Sequence, residues 1–420
     1  MMVHIADKNK TVAIDYREMA PSKAHKDIFL NKNGEPDARL SQEHGLAVGV
    51  PGTVMGMELA LKKYGTMTIK QVTETAIKMA KDGIYVTSDL SSSLTGMKQH
   101  ISQWRDSAGI FYKTDGSNYQ VGEWLKQPDL AHSLSLIAQQ GSKGFYEGET
   151  AKSIVSSIQK AGGIMTLDDL KNYKVLEREP VQGDYRGYQI VSMPPPSSGG
   201  IHLIEMLNML EQFPIDKLGH NTASTIHVMA ESMRRAYADR SEYLGDPDFY
   251  KVPVQALISK DYAKNLACQI VMNKATPSSE VKPGNLAPYE SNQTTHFSVV
   301  DQWGNAVSNT YTLNFSYGSG MVAKGTGILL NNEMDDFSAK PGTPNGYGLV
   351  GGDANAVEGN KRPLSSMSPT IVMKDGKPFI VTGSPGGSRI ITTTMQIIMN
   401  VIDHKLNIAE ATAAPRIHHQ

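Results

Sequence analysis

Two hairpin signals crowded behind residue 294, following a long helical run, constrain this chain more than any other feature. Trp303-Gly304-Asn305 separates strand-like runs at 294–300 and 306–313, and Lys374-Asp375-Gly376-Lys377 separates 369–374 from 378–383. A short strand is expected at 327–330, and helices at about 388–403 and 407–413. Before residue 294 the periodicity is helical. Pro51-Gly52-Thr53 opens a helix through about Tyr64, and Thr68-Ile69-Lys70-Gln71 is a capping box for one ending at Gly83. Others are expected at 22–30, 129–140, 150–161, 200–212, 222–242 and over a polar stretch at 254–282, with a second capping box at Thr166-Leu167-Asp168-Asp169. Strands are expected at 11–20 and 185–192. Helices segregated from hairpins specify α+β layering, not a doubly wound parallel sheet. No Gly/Pro/Ser linker is long enough to separate independent units, so one compact domain is expected.

Composition works by exclusion. Lys and Arg total 41 against 42 Asp and Glu, which leaves no basic footprint for nucleic acid. The richest apolar run, Ile390 to Ile402, is broken by threonines and falls short of the roughly 18 residues that cross a bilayer. Cys268 is the single cysteine, so an intrachain disulfide and a cysteine-based metal site are excluded. Its neighbours Leu266, Ala267 and Ile270 place it on an apolar helix face. No charged, apolar and cleavage segments precede the strand at Thr11, and the chain stops just after a helix, so it reads as a fragment.

Chemistry concentrates near Thr294. In Ser291-Asn292-Gln293-Thr294-Thr295-His296 a polar run passes straight into a strand. A threonine hydroxyl is a poor nucleophile at neutral pH and needs a base. A threonine at a chain's first position carries one, because its own α-amine titrates at about 7.7–8. Cleavage before Thr294 would create that arrangement; a plain Thr-rich strand start is the alternative. Thr382-Gly383-Ser384-Pro385-Gly386-Gly387-Ser388-Arg389 ends a strand and opens a helix, which suits an oxyanion. It also reads as a simple tight turn, and no Gly-Lys-Ser/Thr follows to make a phosphate loop. Asn331 to Phe337 carries Glu333, Asp335 and Asp336, which form either a solvated loop or a grip on a ligand ammonium. Pro194-Pro195-Pro196-Ser197-Ser198-Gly199-Gly200 is a rigid turn into a helix, and Pro341 to Gly352 has the composition of a mobile lid. No His-Glu-x-x-His zinc motif and no Gly-x-Ser-x-Gly elbow is present.

The run Pro288 to His296, with Asn331 to Phe337, Pro363 to Pro369 and Gly383 to Arg389, resembles the γ-glutamyltranspeptidases. Pro194 to Gly200, Tyr237-Ala238-Asp239-Arg240 and Arg17-Glu18-Met19-Ala20-Pro21 match that family as well. The resemblance implies a four-layer αββα N-terminal-nucleophile hydrolase that cuts itself between Gln293 and Thr294. A large subunit, 1–293, and a small subunit, 294–420, would result and remain one compact domain. It implies Thr294 as nucleophile with its freed amine as base, Thr312 orienting it, and Gly386 and Gly387 as the oxyanion hole. Arg17, Ser365 and Ser366 would hold the substrate α-carboxylate; Asn314, Glu333 and Asp336 the α-ammonium; Tyr347 would be the lid aromatic. It further implies no cofactor and γ-glutamyl substrates, glutathione foremost. Water or amino-acid and peptide acceptors would resolve the intermediate, in a periplasmic or secreted setting. Family members also carry a Gly-rich core segment before the equivalent of Thr11 and core strands beyond Gln420. A β-lactam side-chain acylase, a poly-γ-glutamate depolymerase and an uncut inert fragment are the competing readings.

Overall fold

A computed structural model describes residues 1–281 and 294–420. Among these residues two antiparallel sheets lie face to face. The first contains β1 (Met2–Ile5), β2 (Lys10–Asp15), β3 (Leu176–Arg178), β6 (Thr295–Val300) and β7 (Ala306–Tyr311), in the order β3-β2-β1-β7-β6. The second contains β4 (Val181–Tyr185), β5 (Tyr188–Ser192), β8 (Thr370–Lys374) and β9 (Lys377–Thr382), in the order β9-β8-β5-β4. Met2, Ala13 and Ala306 from one sheet meet Val191, Ile371 and Met373 from the other in a buried apolar layer.

Helices cover both outer faces. Met57, Leu59, Ala60 and Tyr64 of α1 (Thr53–Tyr64) pack with Val3, Val12 and Ile14 of the first sheet. On the second sheet, Val181, Ile190, Val372 and Ile380 pack beneath α2 (Gly199–Leu210), α3 (Ala223–Tyr243), α4 (Lys260–Ala267) and α5 (Arg389–Ile402). The layers therefore run helix, sheet, sheet, helix, as the α+β expectation required. Central strands buried on both faces need no polar alternation, which explains the continuous Val12-Ala13-Ile14 run. Every residue of α2 is buried, His202 and Glu205 included, because the sheet lies on one side and helices on the others. Each fully buried Leu or Ile there contributes about 1.5–3 kcal/mol relative to exposure.

The β8–β9 hairpin turns at Asp375 and Gly376, with φ of 51° and 74°. These left-handed conformations are the ones an Asp-Gly pair tolerates best. Elsewhere the sequence expectations need correction. The strand at 11–20 stops at Asp15, and Met2–Ile5 pairs with both β2 and β7. Residues 22–30 form successive turns instead of a helix: Ala24, Ile28 and Leu30 each bond back three residues, and Phe29 anchors the segment in the core. The stretch from 254 breaks into Val254–Leu257 and α4, because Ser259 caps a new helix through the Tyr262 N–H. Cys268 follows α4 and is exposed, not packed on an apolar face. Among the described residues no helix is long and apolar enough to cross a membrane.

Candidate active site

The ends of four strands meet at one small cavity. The β6–β7 register pairs Thr295 with Tyr311, so Thr294 and Thr312 occupy the next facing positions, and both line the cavity. Arg17 enters from just beyond β2, and Gly387 from the link between β9 and α5. Gln293 lies outside the described residues. Gly386 and Gly387 have φ of 122° and 54°. A side chain at 387 would collide with the Tyr347 ring, so glycine is required there for space as well as conformation. Their carbonyls accept the Arg389 and Ile390 N–H groups that open α5, and their own N–H groups have no acceptor among the described residues. His296, one turn of strand away, bonds through Nδ1 to Thr310 Oγ1 at 2.8 Å, and burial holds it down to about 4, so the ring is neutral at pH 7.

A dense charge cluster forms another part of the lining. The Arg17 guanidinium donates to Glu333 and Asp336, sits 3.8 Å from Glu18, and reaches the Pro363 carbonyl through Nε at 3.2 Å. Its backbone is fixed on both sides: the N–H donates to Asp15 at 3.0 Å, and the carbonyl accepts from Tyr173 at 2.8 Å. Asp15 is itself held by Arg178 at 2.8 Å and approached by Arg362 at 3.5 Å. Burial raises Glu18 to about 7 and pushes Glu333 and Asp336 upward too, against the downward pull of Arg17. Glu333 Oε2 is buried and has no partner among the described residues. The acidic segment is therefore not a solvated loop: Glu333 and Asp335 are buried, and Asp336 nearly so.

Asp335 serves a different purpose from its neighbours. It accepts from Ser41 at 2.6 Å and from the Gly346 N–H at 2.9 Å, and so ties down the 341–352 loop. Tyr347 then packs edge-on against Phe315, with ring centres 5.1 Å apart, and donates its hydroxyl to the Asn314 carbonyl. Asn345 reaches Asp336 at 3.3 Å. The 341–352 loop is thus tied to the cavity wall through Asn345, Gly346 and Tyr347.

Ser365 and Ser366 also line the cavity. They are held by the proline-rich turn: Ser198 N–H donates to the Ser365 carbonyl, and Ser365 N–H to the Pro196 carbonyl, both at 2.9 Å. Gly199 permits this approach, since a side chain there would strike Ser368 and the Met367 carbonyl. Thr294, Thr312, Gly387, Arg17, Asn314, Asp336, Tyr347, Ser365 and Ser366 thus share one cavity, with Glu333 joined to it through Arg17 and Gly386 beside Gly387. Asp15, Ser198 and Arg240 stand around this group without having been singled out for it. The Pro-Pro-Pro-Ser-Ser-Gly-Gly and Tyr-Ala-Asp-Arg blocks carry two of them.

A threonine hydroxyl sharing a cavity with the Gly386-Gly387 turn suits acyl transfer, and adjacent cationic and anionic groups suit a zwitterionic amino-acid head. The sequence model of the family described as Gamma-glutamyltranspeptidase matches residues 1–420. The chain is 59% identical over 418 residues to a glutathione hydrolase proenzyme of Escherichia coli K12, covering 99% of this chain and 72% of that protein. The Helicobacter pylori gamma-glutamyltranspeptidase crystal structure aligns with a TM-score of 0.66 at 46% identity, over 68% of this chain and 81% of that one. A cephalosporin acylase from Bacillus halodurans aligns with a TM-score of 0.79 at 28% identity, over 99% and 73% of the two chains. With the layered fold and the cavity in agreement, the chain belongs to the gamma-glutamyltranspeptidase family.

Proposed function

We propose that this protein, as a γ-glutamyl hydrolase and transpeptidase, works through Thr294 after autocatalytic cleavage of the Gln293–Thr294 bond. Thr294 Oγ first attacks the Gln293 carbonyl, and the peptide bond becomes an ester. The C–N bond breaks as that ester forms, which frees the Thr294 α-amine, and water then hydrolyses the ester to the Gln293 carboxylate and the Thr294 hydroxyl. Subunits 1–293 and 294–420 result and stay together as one domain. The freed amine then takes the Oγ proton as Oγ attacks the substrate γ-carbonyl. Thr312, in the facing register position, orients the hydroxyl. The Gly386 and Gly387 N–H groups receive the oxyanion, and the amine passes its proton to the departing amine. Water or an acceptor amine resolves the γ-glutamyl-Thr294 ester and restores the hydroxyl.

The observation that carries this reading is the single cavity joining Thr294 and Gly387 to Arg17, Asp336, Ser365 and Ser366. A γ-glutamyl group presents both charges of an amino-acid head at a fixed distance from the reacting carbonyl. Asp336, Asn314 and the unpartnered oxygen of Glu333 suit the ammonium; Arg17 and the two serines suit the carboxylate. Tyr347 covers the bound group. Glutathione, named for the relatives, is such a substrate, and amino acids or peptides are the acceptors. A periplasmic or secreted location goes with the same reading. The acylase alternative is less well supported, because a glutaryl side chain has no ammonium for Asp336 to meet.

Incubated protein is expected to yield two fragments, the smaller beginning at threonine, and to release aromatic amine from a γ-glutamyl anilide. Thr294→Ala is expected to remain one chain with no turnover. A wild-type chain that stays uncut, or an alanine variant that still releases amine, would overturn the mechanism.

A further inference from the structure

Four arginines are buried among the described residues: Arg17, Arg235, Arg240 and Arg362. Arg17 pairs with Glu333 and Asp336, Arg235 with Glu231 at 2.6 Å, and Arg362 lies 3.5 Å from Asp15. Among the described residues Arg240 alone has no carboxylate within ion-pair distance, although it is 4% exposed; Asp336 acts on it only from farther away. Its side-chain bonds run to two hydroxyls: Nε donates to Ser198 Oγ at 3.0 Å and Nη2 to Ser366 Oγ at 3.2 Å. A buried, unpaired cation is destabilising in a folded protein, so its persistence calls for a counter-charge from elsewhere.

The serines indicate where that charge arrives. Ser366 Oγ accepts from Arg240, and Ser365 Oγ accepts from the Met367 N–H at 3.0 Å. Each hydroxyl accepts one bond and donates none among the described residues, and both residues line the cavity. Two adjacent O–H donors suit a planar carboxylate. Arg17 cannot supply all of the compensation, because Glu18, Glu333 and Asp336 already crowd its guanidinium. With Arg240 included, two guanidiniums instead of one stand against the carboxyls of Glu18, Glu333 and Asp336.

We propose that Arg240 is a positioning residue that supplies the counter-charge for the substrate α-carboxylate, acting through the Ser366 hydroxyl it polarises. This rests on the γ-glutamyl reading of the site. Ser198 holds the guanidinium in place from the start of α2, so the proline-rich turn takes part in substrate recognition.

The test compares mature wild type and Arg240→Met on three anilides. The γ-glutamyl anilide carries both charges, glutaryl anilide lacks the ammonium, and 4-aminobutyryl anilide lacks the α-carboxylate. Arg240→Met is expected to raise KM roughly 10–100-fold on the first two, the span of a lost hydrogen bond to a charged group. Its kcat should change no more than about threefold, and the KM penalty should disappear on the third. Equal KM increases on all three, or a loss confined to kcat, would overturn the proposal. Should Arg240→Met fail to mature into two fragments, Ser198→Ala takes its place: a KM increase of several-fold confined to the α-carboxylate substrates supports the proposal, and a uniform one rejects it. A wild type that cleaves itself but does not turn over the γ-glutamyl anilide would sink the functional reading instead.

Discussion

Two buried acidic clusters lie in neighbouring layers of this protein, and they balance their charge differently. Around Arg17, three carboxyls surround a guanidinium at the edge of a cavity. Between α2, α3 and α4, Glu205 meets Asp239, and among the described residues no Lys or Arg lies within ion-pair distance of either carboxyl. His202 Nδ1 lies 2.7 Å from Glu205 Oε2, and Tyr262 donates to Asp239 at 2.7 Å. Burial lowers His202 to about 3, so its ring is neutral. Glu205 Oε1 has no donor among the described residues, and its contact with Asp239 becomes a hydrogen bond only if one carboxyl keeps a proton. Burial accordingly raises Glu205 to about 8 and Asp239 to about 7. The enclosed pair can be neutralised only by a proton. The cluster beside the cavity is reachable by a ligand, whose ammonium, on the proposed reading, takes the place of that proton.

The largest expected effect breaks the open cluster. Asp336→Ala should cut kcat/KM for a γ-glutamyl anilide roughly 10²–10³-fold, the scale of losing one partner from a buried charge pair. Self-cleavage should continue, since that step needs no ligand head group. Band patterns and initial rates check both halves, and an uncut variant would reassign Asp336 to maturation.

Next in size is the enclosed pair. Its folded pKa values lie above the ordinary 4.5 and 3.8, so the stability it contributes is full below about 4 and is lost as pH rises through 7 and 8. Wild-type melting temperature should fall between pH 6 and 9. Glu205→Gln should flatten that slope and gain stability at pH 8, on the order of a few kcal/mol. Parallel melting curves for the two proteins would show that the pair holds no extra proton.

The smallest effect concerns protons competing with substrate. Glu18 titrates near 7, and Glu333 and Asp336 are raised as well, so acid neutralises the cluster that would receive the ammonium. KM for γ-glutamyl anilide should fall several-fold as pH rises through 7, the direction expected for about one coupled proton. Glutaryl anilide should show no such fall. A KM independent of pH on both would remove the link between this cluster and the ammonium.

How much could be read in advance depended on whether the chemistry was local. Thr294 at a strand start, the Gly386-Gly387 pair before a helix and the acidic run at 333–336 are each contained in a few consecutive residues. The α+β class followed from segregated helices and hairpins, and the fold and family agree with it. What stayed hidden depends on tertiary packing. Nothing near Arg240 in sequence says that no carboxylate will reach it, since that follows from how α3 meets the proline-rich turn. Met2–Ile5 is too short to read as a strand without its partner at 306–308. At 22–30 a helix is expected, yet successive turns there bury Phe29 in a loop.

The sheets mix strands from both sides of Thr294. β1 pairs with β7, and β8 pairs with β5. A cut before Thr294 would therefore sever the chain without opening a seam, because the two pieces share both sheets and the apolar layer between them. The fragments could part only by unfolding. Once apart, they would have to find one another by diffusion, so a reaction that was unimolecular for the precursor would become second order for its products. Maturation would in this way make folding a one-time event: the protein could be assembled readily only before its own chemistry had cut it.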